Sequence, residues 1–387
     1  MYIPVSTKSY IRNVVTKAGG IYIHVPFCQK RCIYCDFYST TCGLEWKRLY
    51  LSALKREMLL RSSEIDSSRV PSLYIGGGTP SQLPASLLLE MFQAIAENFT
   101  FAEEAEITIE VNPDDVTPRL IDTLHQTPVN RVSMGVQTFS DKMLRFLNRR
   151  HTSAQALQAV RFFREADYNN ISLDLIYGLP GQTFEDWKYD VDMVVNLGIP
   201  HLSAYALSYE EGTVLHKMLK EGAVAEAPDE LSWQMYDYLM DKTADAGMEH
   251  YEISNFAIPG MQARHNSSYW NGSPYLGLGP GAHSYDGENV RRSNNTSLED
   301  YVGATGDVPH QKEVLTPQEQ YDETVMTRLR TVSGLSLDTL TAEQRTYCLQ
   351  MAEPHILNGN LVREGDVLRL SKRGIFVSND VISDLMF

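Results

Sequence analysis

Three cysteines lie close together near the start of the chain, as Cys28, Cys32 and Cys35. They follow a short run of β-forming residues at 21–25. Thiolates in a C-x3-C-x2-C spacing at the end of a strand are typical ligands of an iron–sulfur cluster. Because a [4Fe–4S] cluster has four irons, three cysteines leave one iron open to a small chelating molecule. The sequence therefore predicts a [4Fe–4S] cluster with one open iron.

Two other interpretations of these cysteines stay open at this point: a structural zinc site and a set of buried core cysteines. Structural zinc usually has four protein ligands from paired cysteine knuckles. His24 or Cys42 could complete a set of four, but the second knuckle is missing. Cys42 and Cys348 lie outside the cluster, and we assign them no role because free cysteines are most often small buried side chains.

Polar residues follow the other predicted strands at corresponding places. A glycine turn at 76–80 follows the second strand, Glu110 ends the third, and Gln137 ends the fourth. Arg149 comes shortly afterwards, and Asp174 lies in the fifth strand. The carboxyl ends of parallel barrel strands meet at one face, where such folds build their ligand sites. We therefore expect these groups to surround one site beside the cysteines.

Six β-rich runs alternate with helical stretches between residues 21 and 225. This alternation is typical of a parallel sheet with right-handed crossover helices. A complete eight-unit barrel needs about 250 residues, so six units predict a partial (β/α)6 barrel that is open on one side. The expected fold class is α/β. The predicted strands lie at residues 21–25, 73–75, 106–111, 131–136, 171–176 and 201–206.

The rest of the chain divides into three further parts. Residues 1–20 form an N-terminal extension, and residues 226–312 contain a connecting helix, predicted at 226–246, followed by a loop-rich segment. We expect residues 250–310 to be mostly ordered loop because they are rich in Asn, Ser, Gly and Tyr. The sequence pattern of residues 313–387 predicts helices, a strand–turn–strand at 361–370 and a final helix. This order resembles a winged-helix α+β domain.

The charge of the chain restricts its partners. Its 387 residues carry 34 Lys and Arg against 49 Asp and Glu, a net charge of −15. An acidic surface argues against broad binding to nucleic acid or anionic lipid. No run of 18 apolar residues predicts a membrane span, and the N-terminus lacks the apolar core of a secretory signal. Clustered free thiols fit a reducing compartment, so we expect a cytoplasmic protein.

The cysteine loop and the motifs around it resemble the radical S-adenosylmethionine (SAM) superfamily. Within it they are similar to the HemN-like branch, which includes oxygen-independent coproporphyrinogen III oxidase and HemW-type heme chaperones. The similarity covers about residues 20–380 and is carried by motifs at 22–27, 76–80, 110–113, 130–137, 174–180 and 251–256. It implies that the reduced cluster cleaves SAM to a 5′-deoxyadenosyl radical. It also implies SAM contacts at Tyr22, Gly77, Gly78, Thr79, Glu110, Gln137, Arg149 and Asp174.

Two departures from the oxidase pattern disfavour decarboxylation of coproporphyrinogen. The oxidase has a fourth cysteine directly after the third, where this chain has Asp36, and a longer N-terminal extension. The resemblance thus favours a heme chaperone that passes heme to acceptor proteins. The oxidase remains the first alternative. A second is another radical SAM enzyme, such as a nucleic-acid modifier, which the acidic charge disfavours.

A candidate heme segment contains His265, Tyr269 and Trp270. A histidine ring nitrogen can ligate heme iron, and aromatic rings can cover a porphyrin face. From the residues alone, a hydrogen-bonded loop histidine beside packed aromatics is the more ordinary interpretation. The resemblance implies heme binding by this H-N-x-x-Y-W pattern, with His283 as a spare ligand. Relatives often have cysteine where this chain has Ala263, so any heme attachment here is expected to differ.

Overall fold

Six parallel strands form the centre of the protein in a computed structural model that describes residues 17–387. The strands lie side by side in chain order, each hydrogen-bonded to the next. Residues 1–16, most of the expected N-terminal extension, lie outside the described residues. The predicted six-unit arrangement is confirmed. The strands are β1 (Gly20–Val25), β2 (Val70–Gly77), β3 (Phe101–Val111), β4 (Arg131–Gln137), β5 (Ile171–Tyr177) and β6 (His201–Ala206).

Helices connect these strands and cover the outer face of the sheet. Short 3-10 turns at Ser62–Glu64, Pro80–Gln82 and Pro113–Asp115 accompany them. Several helices start at a threonine whose hydroxyl accepts a backbone N–H of the first turn, as Thr152 and Thr183 do. The helices are α1 (Leu44–Arg61), α2 (Ala85–Asn98), α3 (Pro118–Leu124), α4 (Asp141–Phe146), α5 (Ser153–Glu165), α6 (Phe184–Asn196) and α7 (Val214–Lys220).

Alternation along the strands separates an apolar outer face from a polar interior. In β1, Ile21, Ile23 and Val25 are buried in the main core with residues of the covering helices. Because successive strand residues point to opposite faces, Tyr22 and His24 face the interior of the barrel. The same alternation turns Arg131, Ser133, Ser172, Asp174 and Ser203 inward on β4 to β6. The interior is therefore equipped to bind a polar ligand.

Short strands extend the sheet beyond both edges of the barrel, which corrects the expectation of mostly loop at 250–310. At one edge, β6 pairs antiparallel with β8, which pairs with β7; at the other, β9 runs parallel to β1 and leads into three antiparallel strands. The connecting helix is α8 (Asp229–Asp245). The other elements are β7 (Glu249–Glu252), β8 (Asn255–Ala257), α9 (Arg264–Trp270), β9 (Tyr275–Leu278), β10 (His283–Tyr285), β11 (Val290–Ser293), α10 (Leu298–Gly303) and β12 (Gln311–Val314).

A buried ion pair on α1 holds the added strands in place. Arg61 Nη1 lies 2.6 Å from Glu57 Oε1 and also donates to the carbonyl of Gly277 at 2.8 Å. Glu57 in turn accepts the N–H of Gly279 at 2.8 Å and the hydroxyl of Tyr301 at 2.7 Å. Because the donors and acceptors of this buried pair have partners that include the backbone of Gly277 and Gly279, the pair holds β9 beside β1.

The C-terminal part forms a smaller unit with its own core. Its three-stranded antiparallel sheet has the order β13-β15-β14. The predicted strand–turn–strand and final helix are confirmed, together with a 3-10 turn at Leu337–Thr339. The elements are α11 (Pro317–Arg328), β13 (Leu335–Ser336), α12 (Ala342–Leu357), β14 (Leu361–Glu364), β15 (Val367–Leu370), α13 (Lys372–Phe376) and α14 (Ser378–Leu385).

Candidate functional site

The cysteine loop leaves the end of β1 and is bound to the glycine turn after β2. Gly78 donates its N–H to the carbonyl of Val25 at 2.8 Å, and Thr79 donates to the carbonyl of Phe27 at 2.8 Å. The Cys28 thiol lies 3.5 Å from the Thr79 hydroxyl. The two loops therefore form one backbone unit, so a change in either loop is transmitted to the other.

All three cysteines line one cavity of about 430 Å³ at the carboxyl ends of the strands. Within residues 17–387, no three His, Cys, Asp or Glu side chains gather as ligands of a single metal ion. The three sulfur atoms need not converge on one metal position in order to hold a cluster of four irons, since each thiolate binds its own iron. The shared cavity thus fits a [4Fe–4S] cluster better than a zinc ion.

Arg149 supplies positive charge to this thiol group. Its Nη1 donates to Cys32 Sγ at 3.4 Å, and its other terminal nitrogen donates to the carbonyl of Gly135 and to Asn112. Burial raises the pKa of Cys35 to about 11, so its thiolate needs a positive partner, which a bound iron would supply. Arg149 also keeps one nitrogen, Nε, without a protein partner among the described residues.

The glycine turn needs glycine for steric reasons. Gly77 has a φ of +104°, and a Cβ there would lie 2.6 Å from the ring of His24. A Cβ on Gly78 would lie 2.9 Å from the backbone N and O atoms of Phe27. The turn brings backbone groups to the cavity wall at a distance that a side chain would prevent.

Two half-buried carboxyl groups, Glu110 and Asp174, face the cavity from β3 and β5. Glu110 accepts hydrogen bonds from the Tyr74 hydroxyl at 2.8 Å and the Gly77 N–H at 3.1 Å. Burial nevertheless raises the pKa of Glu110 to about 7, and burial raises that of Asp174 to about 6. Such groups ionise readily when a cation arrives, because the cation then offsets the cost of burying the charge.

Gln137 occupies a strained position where β4 ends. Its φ is +68°, which is uncommon for a residue with a side chain, and the pairing of β4 with β5 shifts register between Gly135 and Gln137. Strain of this kind persists where the surrounding structure enforces it and often marks a ligand site. The irregularity keeps Gln137 on the cavity wall.

Seven of the eight residues expected to contact SAM line the cavity. They are Gly77, Gly78, Thr79, Glu110, Gln137, Arg149 and Asp174. Tyr22 is not on the wall: its ring stacks on Tyr74 with centroids 6.2 Å apart, and its hydroxyl lies 3.0 Å from His24 Nδ1. The structure therefore places Tyr22 behind a residue that does line the cavity.

Other lining residues were missed by sequence reasoning. Inward alternation on the strands would have indicated Tyr74, Ser203 and Tyr205, which share a face with the expected residues. Asn112 and Asn266 also line the cavity. No local signal indicates Asn266, because it reaches the site from a helix far along the chain.

His265 lies inside the barrel near the amino ends of the strands. Its side chain has no solvent exposure; Nδ1 lies 2.9 Å from Ser72 Oγ, and Nε2 lies 2.8 Å from the Tyr269 hydroxyl. Burial lowers the pKa of His265 to about 3, so the ring is neutral. Both nitrogens are occupied, so neither can bind iron unless the ring moves. The arrangement is that of a hydrogen-bonded structural histidine.

The helix that carries His265 is anchored by a buried carboxylate. Glu106 on β3 accepts the backbone N–H groups of Arg264 at 2.8 Å and His265 at 3.0 Å. A carboxylate at the start of a helix satisfies donors that the helix itself leaves free. The first turn of α9 is thereby fixed to β3 near the amino, or lower, ends of the strands, with the side chains of Tyr269 and Trp270 half-buried.

The remaining singled-out residues lie apart from the thiols. Cys348 is buried in the C-terminal core, and Cys42 is half-buried with its Sγ 3.0 Å from the hydroxyl of Thr40. His283 is exposed on β10. Among the described residues, no helix is long and apolar enough to cross a membrane.

A barrel of this kind, with three thiols and polar groups around one cavity, is the architecture of radical SAM proteins. The family described as the Radical SAM superfamily matches residues 22–194, and the HemN C-terminal domain matches residues 315–377. Radical SAM proteins use an iron–sulfur cluster and SAM.

Relatives define the family more closely. A Lactococcus lactis protein named Heme chaperone HemW is 34% identical over 383 residues, covering 96% of this chain and 98% of its own length. Proteins of the same name from Mycobacterium tuberculosis and Bacillus subtilis are 36% and 32% identical, covering 95% and 93% of this chain and 94% and 97% of their own lengths. The chain belongs to the HemW family of radical SAM proteins.

A solved structure shares the fold. The Escherichia coli coproporphyrinogen III oxidase HemN, described as a radical SAM enzyme, superposes with a TM-score of 0.83 at 23% identity. The match covers 96% of this chain and 90% of that chain. At this identity the likeness establishes the fold, and the activity must be argued from the site.

Proposed function

We propose that this protein binds heme and passes it to acceptor proteins in the cytoplasm, while its barrel holds a [4Fe–4S] cluster and SAM. The observation that carries this proposal is the similarity of almost the whole chain to several proteins named Heme chaperone HemW. Asp36, at the place of the oxidase's fourth cysteine, supports a carrier over a decarboxylase.

The cavity groups suit the parts of SAM. Cys28, Cys32 and Cys35 would ligate three irons of the cluster, and the fourth iron would bind SAM. When present and reduced, the cluster would supply the electron that cleaves SAM. Glu110 and Asp174 suit the ammonium and hydroxyl groups of SAM, since carboxylates accept charge-assisted hydrogen bonds. The remaining proposed SAM contacts are Arg149, which suits the carboxylate, and Tyr22, Gly77, Gly78, Thr79 and Gln137.

We place heme at the segment of His265, Tyr269 and Trp270. Ligation by His265 requires its ring to leave Ser72 and the Tyr269 hydroxyl, which would expose a nitrogen and free the tyrosine ring to pack on a porphyrin. His283 is already exposed and is the second candidate ligand. The choice between these two histidines is an experimental question with distinct outcomes.

The test is anaerobic reconstitution of the cluster followed by heme titration, on wild type, His265→Ala and His283→Ala. We expect wild type to bind heme with a defined Soret band and to transfer it to an apo-acceptor, and His265→Ala to bind more weakly with a changed band. A changed band only in His283→Ala would move the ligand to that residue. Iron content must be measured on the same samples, so that loss of the cluster is not mistaken for loss of a heme ligand.

The oxidase alternative is tested in the same preparation. Coproporphyrinogen III is added with SAM and a reductant, and the products are analysed. A heme carrier gives no decarboxylated porphyrinogen. Turnover to protoporphyrinogen, or absence of heme binding by wild type, would overturn the proposal.

A further inference from the structure

Gln137 is the central residue of a strained γ-turn at the end of β4. The N–H of Thr138 donates to the carbonyl of Val136 at 2.9 Å, which closes a three-residue turn. The φ of +68° at Gln137 belongs to the rare and strained form of this turn. A Cβ on Gly135 would lie 2.7 Å from Gln137 Nε2 and 3.3 Å from Arg149 Nη2, so the amide lies over Gly135 beside Arg149. The turn therefore determines where this amide stands on the cavity wall.

Two buried side chains hold the residues on either side of Gln137. On the following side, Oδ2 of Asp190 accepts the hydroxyl of Thr138 at 2.7 Å, and Oδ1 accepts the N–H of Phe139 at 2.7 Å. Asp190 belongs to α6 and has no solvent exposure. On the preceding side, His151 Nε2 lies 3.1 Å from the carbonyl oxygen of Val136, to which it can donate. The turn is thus enforced by groups that lie outside it.

The bonds of Asp190 hold the turn more firmly than a neutral side chain could. Burying a carboxylate costs free energy unless its oxygens are hydrogen-bonded, and here both oxygens bond to adjacent residues of one chain segment. The Thr138 hydroxyl is fully engaged as well, because it also accepts the N–H of Ser140 at 3.0 Å. An asparagine at position 190 would offer one acceptor oxygen where two donors need one each.

We propose that Asp190 is a positioning residue of the SAM site: by holding Thr138 and Phe139, it maintains the γ-turn that places the Gln137 amide against SAM. This inference rests on the proposed SAM contact of Gln137. Asp190 does not line the cavity, so it acts on SAM only through the turn. Its removal should therefore weaken SAM binding only while the Gln137 side chain is present.

The experiment is a double-mutant cycle of wild type, Asp190→Asn, Gln137→Ala and the double variant. SAM binding is measured by equilibrium dialysis on the reconstituted proteins, with iron content measured on the same samples. Asp190→Asn should weaken SAM binding about fivefold, typical of one lost hydrogen bond, and should keep its cluster. Gln137→Ala should weaken binding at least as much. In the Gln137→Ala background, Asp190→Asn should have no further effect, because the contact that it positions is already gone.

A second variant reaches the same turn without changing the carboxylate. Thr138→Val removes one of the two donors at nearly constant shape and should also weaken SAM binding. Thr108→Val is the matched control and should bind SAM as wild type does. Thr108 is equally buried on the neighbouring strand β3, but among residues 17–387 its hydroxyl has no hydrogen-bond partner. If Asp190→Asn loses its cluster, Thr138→Val takes its place in the cycle.

Four results would overturn the inference. The first is wild-type SAM affinity in Asp190→Asn. The second is an equal loss of affinity in both backgrounds, which would show that Asp190 supports the barrel as a whole. The third is unchanged affinity in Gln137→Ala, which removes the contact that Asp190 is proposed to position. The fourth is loss of the cluster in both Asp190→Asn and Thr138→Val, which would give the carboxylate a role in the fold alone. Wild type that binds no SAM contradicts the proposed function instead.

Discussion

Arg149 shows how single side chains connect the parts of the site. It contacts the cysteine loop through Cys32, the end of β4 through Gly135 and the end of β3 through Asn112. An arginine presents several donors in a rigid fork, so it can hold three loops at fixed spacing, which a lysine cannot do.

Each of the three cluster cysteines should be necessary for iron. Single replacement of Cys28, Cys32 or Cys35 by Ala should abolish stable cluster iron and the broad brown absorbance, because an iron would lose its only protein ligand. Cys42→Ala, nearby in the same loop, is the matched control and should retain both. The measurements are iron and sulfide content after anaerobic reconstitution; four irons per chain in any of the three variants would refute the assignment.

At the level of elements, the cysteine loop and the glycine turn are joined by backbone hydrogen bonds, so a change in one should displace the other. We expect Gly78→Val to lose the cluster as well as SAM, because the new Cβ would meet the backbone of Phe27, directly before Cys28. Gly43→Ala is the control, since a Cβ there meets nothing within 4 Å. Iron content and SAM binding are compared in both variants. A Gly78→Val protein with full iron and no SAM binding would show that the two loops are separable.

The anchor of α9 gives a second prediction at this scale. Glu106→Gln should release the first turn of α9, because a neutral amide is a weaker acceptor for two helix N–H groups. We expect a loss of about 1–3 kcal/mol in unfolding free energy, typical of a weakened buried polar site. Glu104→Gln, exposed on the same strand, should be neutral. Denaturant unfolding monitored by far-UV circular dichroism makes the comparison; equal stability of both variants would contradict the anchoring role.

Local patterns predicted the barrel but not its additions. The strand–helix alternation and the polar strand ends depend on residues near each other in sequence, so β1 to β6, the three cysteines and seven further residues of the cavity wall were found. By contrast, β9 pairs with β1 across about 250 residues, and strands of three or four residues rich in Gly and Tyr carry little periodic signal. The sequence offered a hydrogen-bonded His265 as an interpretation but could not name its partner for the same reason, because Ser72 belongs to a distant strand.

On the scale of the whole molecule, several cations of the C-terminal unit are paired with acids. Arg345 pairs with Asp338 and Asp366, and Arg369 pairs with Glu364. Lys372 reaches across to α8. Neutralised side chains cannot attract phosphate backbones as free ones do. We therefore expect this unit to act as a docked cover or a protein-binding part rather than as a nucleic-acid reader, in keeping with the acidic net charge of the chain.

Docking of this unit should depend weakly on salt. Lys372 lies 2.6 Å from Asp237 and 2.7 Å from Asp241, both on α8, and Trp233 packs edge-on against Phe376. Because the ion pairs are partly exposed, Lys372→Glu should cost only about 1 kcal/mol, mostly at low ionic strength. Thermal unfolding at low and high salt measures this, with Lys372→Met separating lost attraction from new repulsion. A difference that salt does not reduce would assign the effect to packing.

The position of α9 also determines what can happen to heme held by its motif. Gly20 lies beside the His265 ring at the lower end of β1, and Val25 at the upper end leads into the cysteine loop. Five residue steps at about 3.3 Å separate these ends by about 16 Å. Abstraction of a hydrogen atom requires the reacting atoms to come within about 3–3.5 Å. The His265 ring is therefore too far from the thiols for a radical formed there to react beside it, whereas the next residue, Asn266, lines the cavity of the thiols. The vinyl and propionate groups of a heme held at this motif should stay unaltered only as long as its edge does not reach past Asn266.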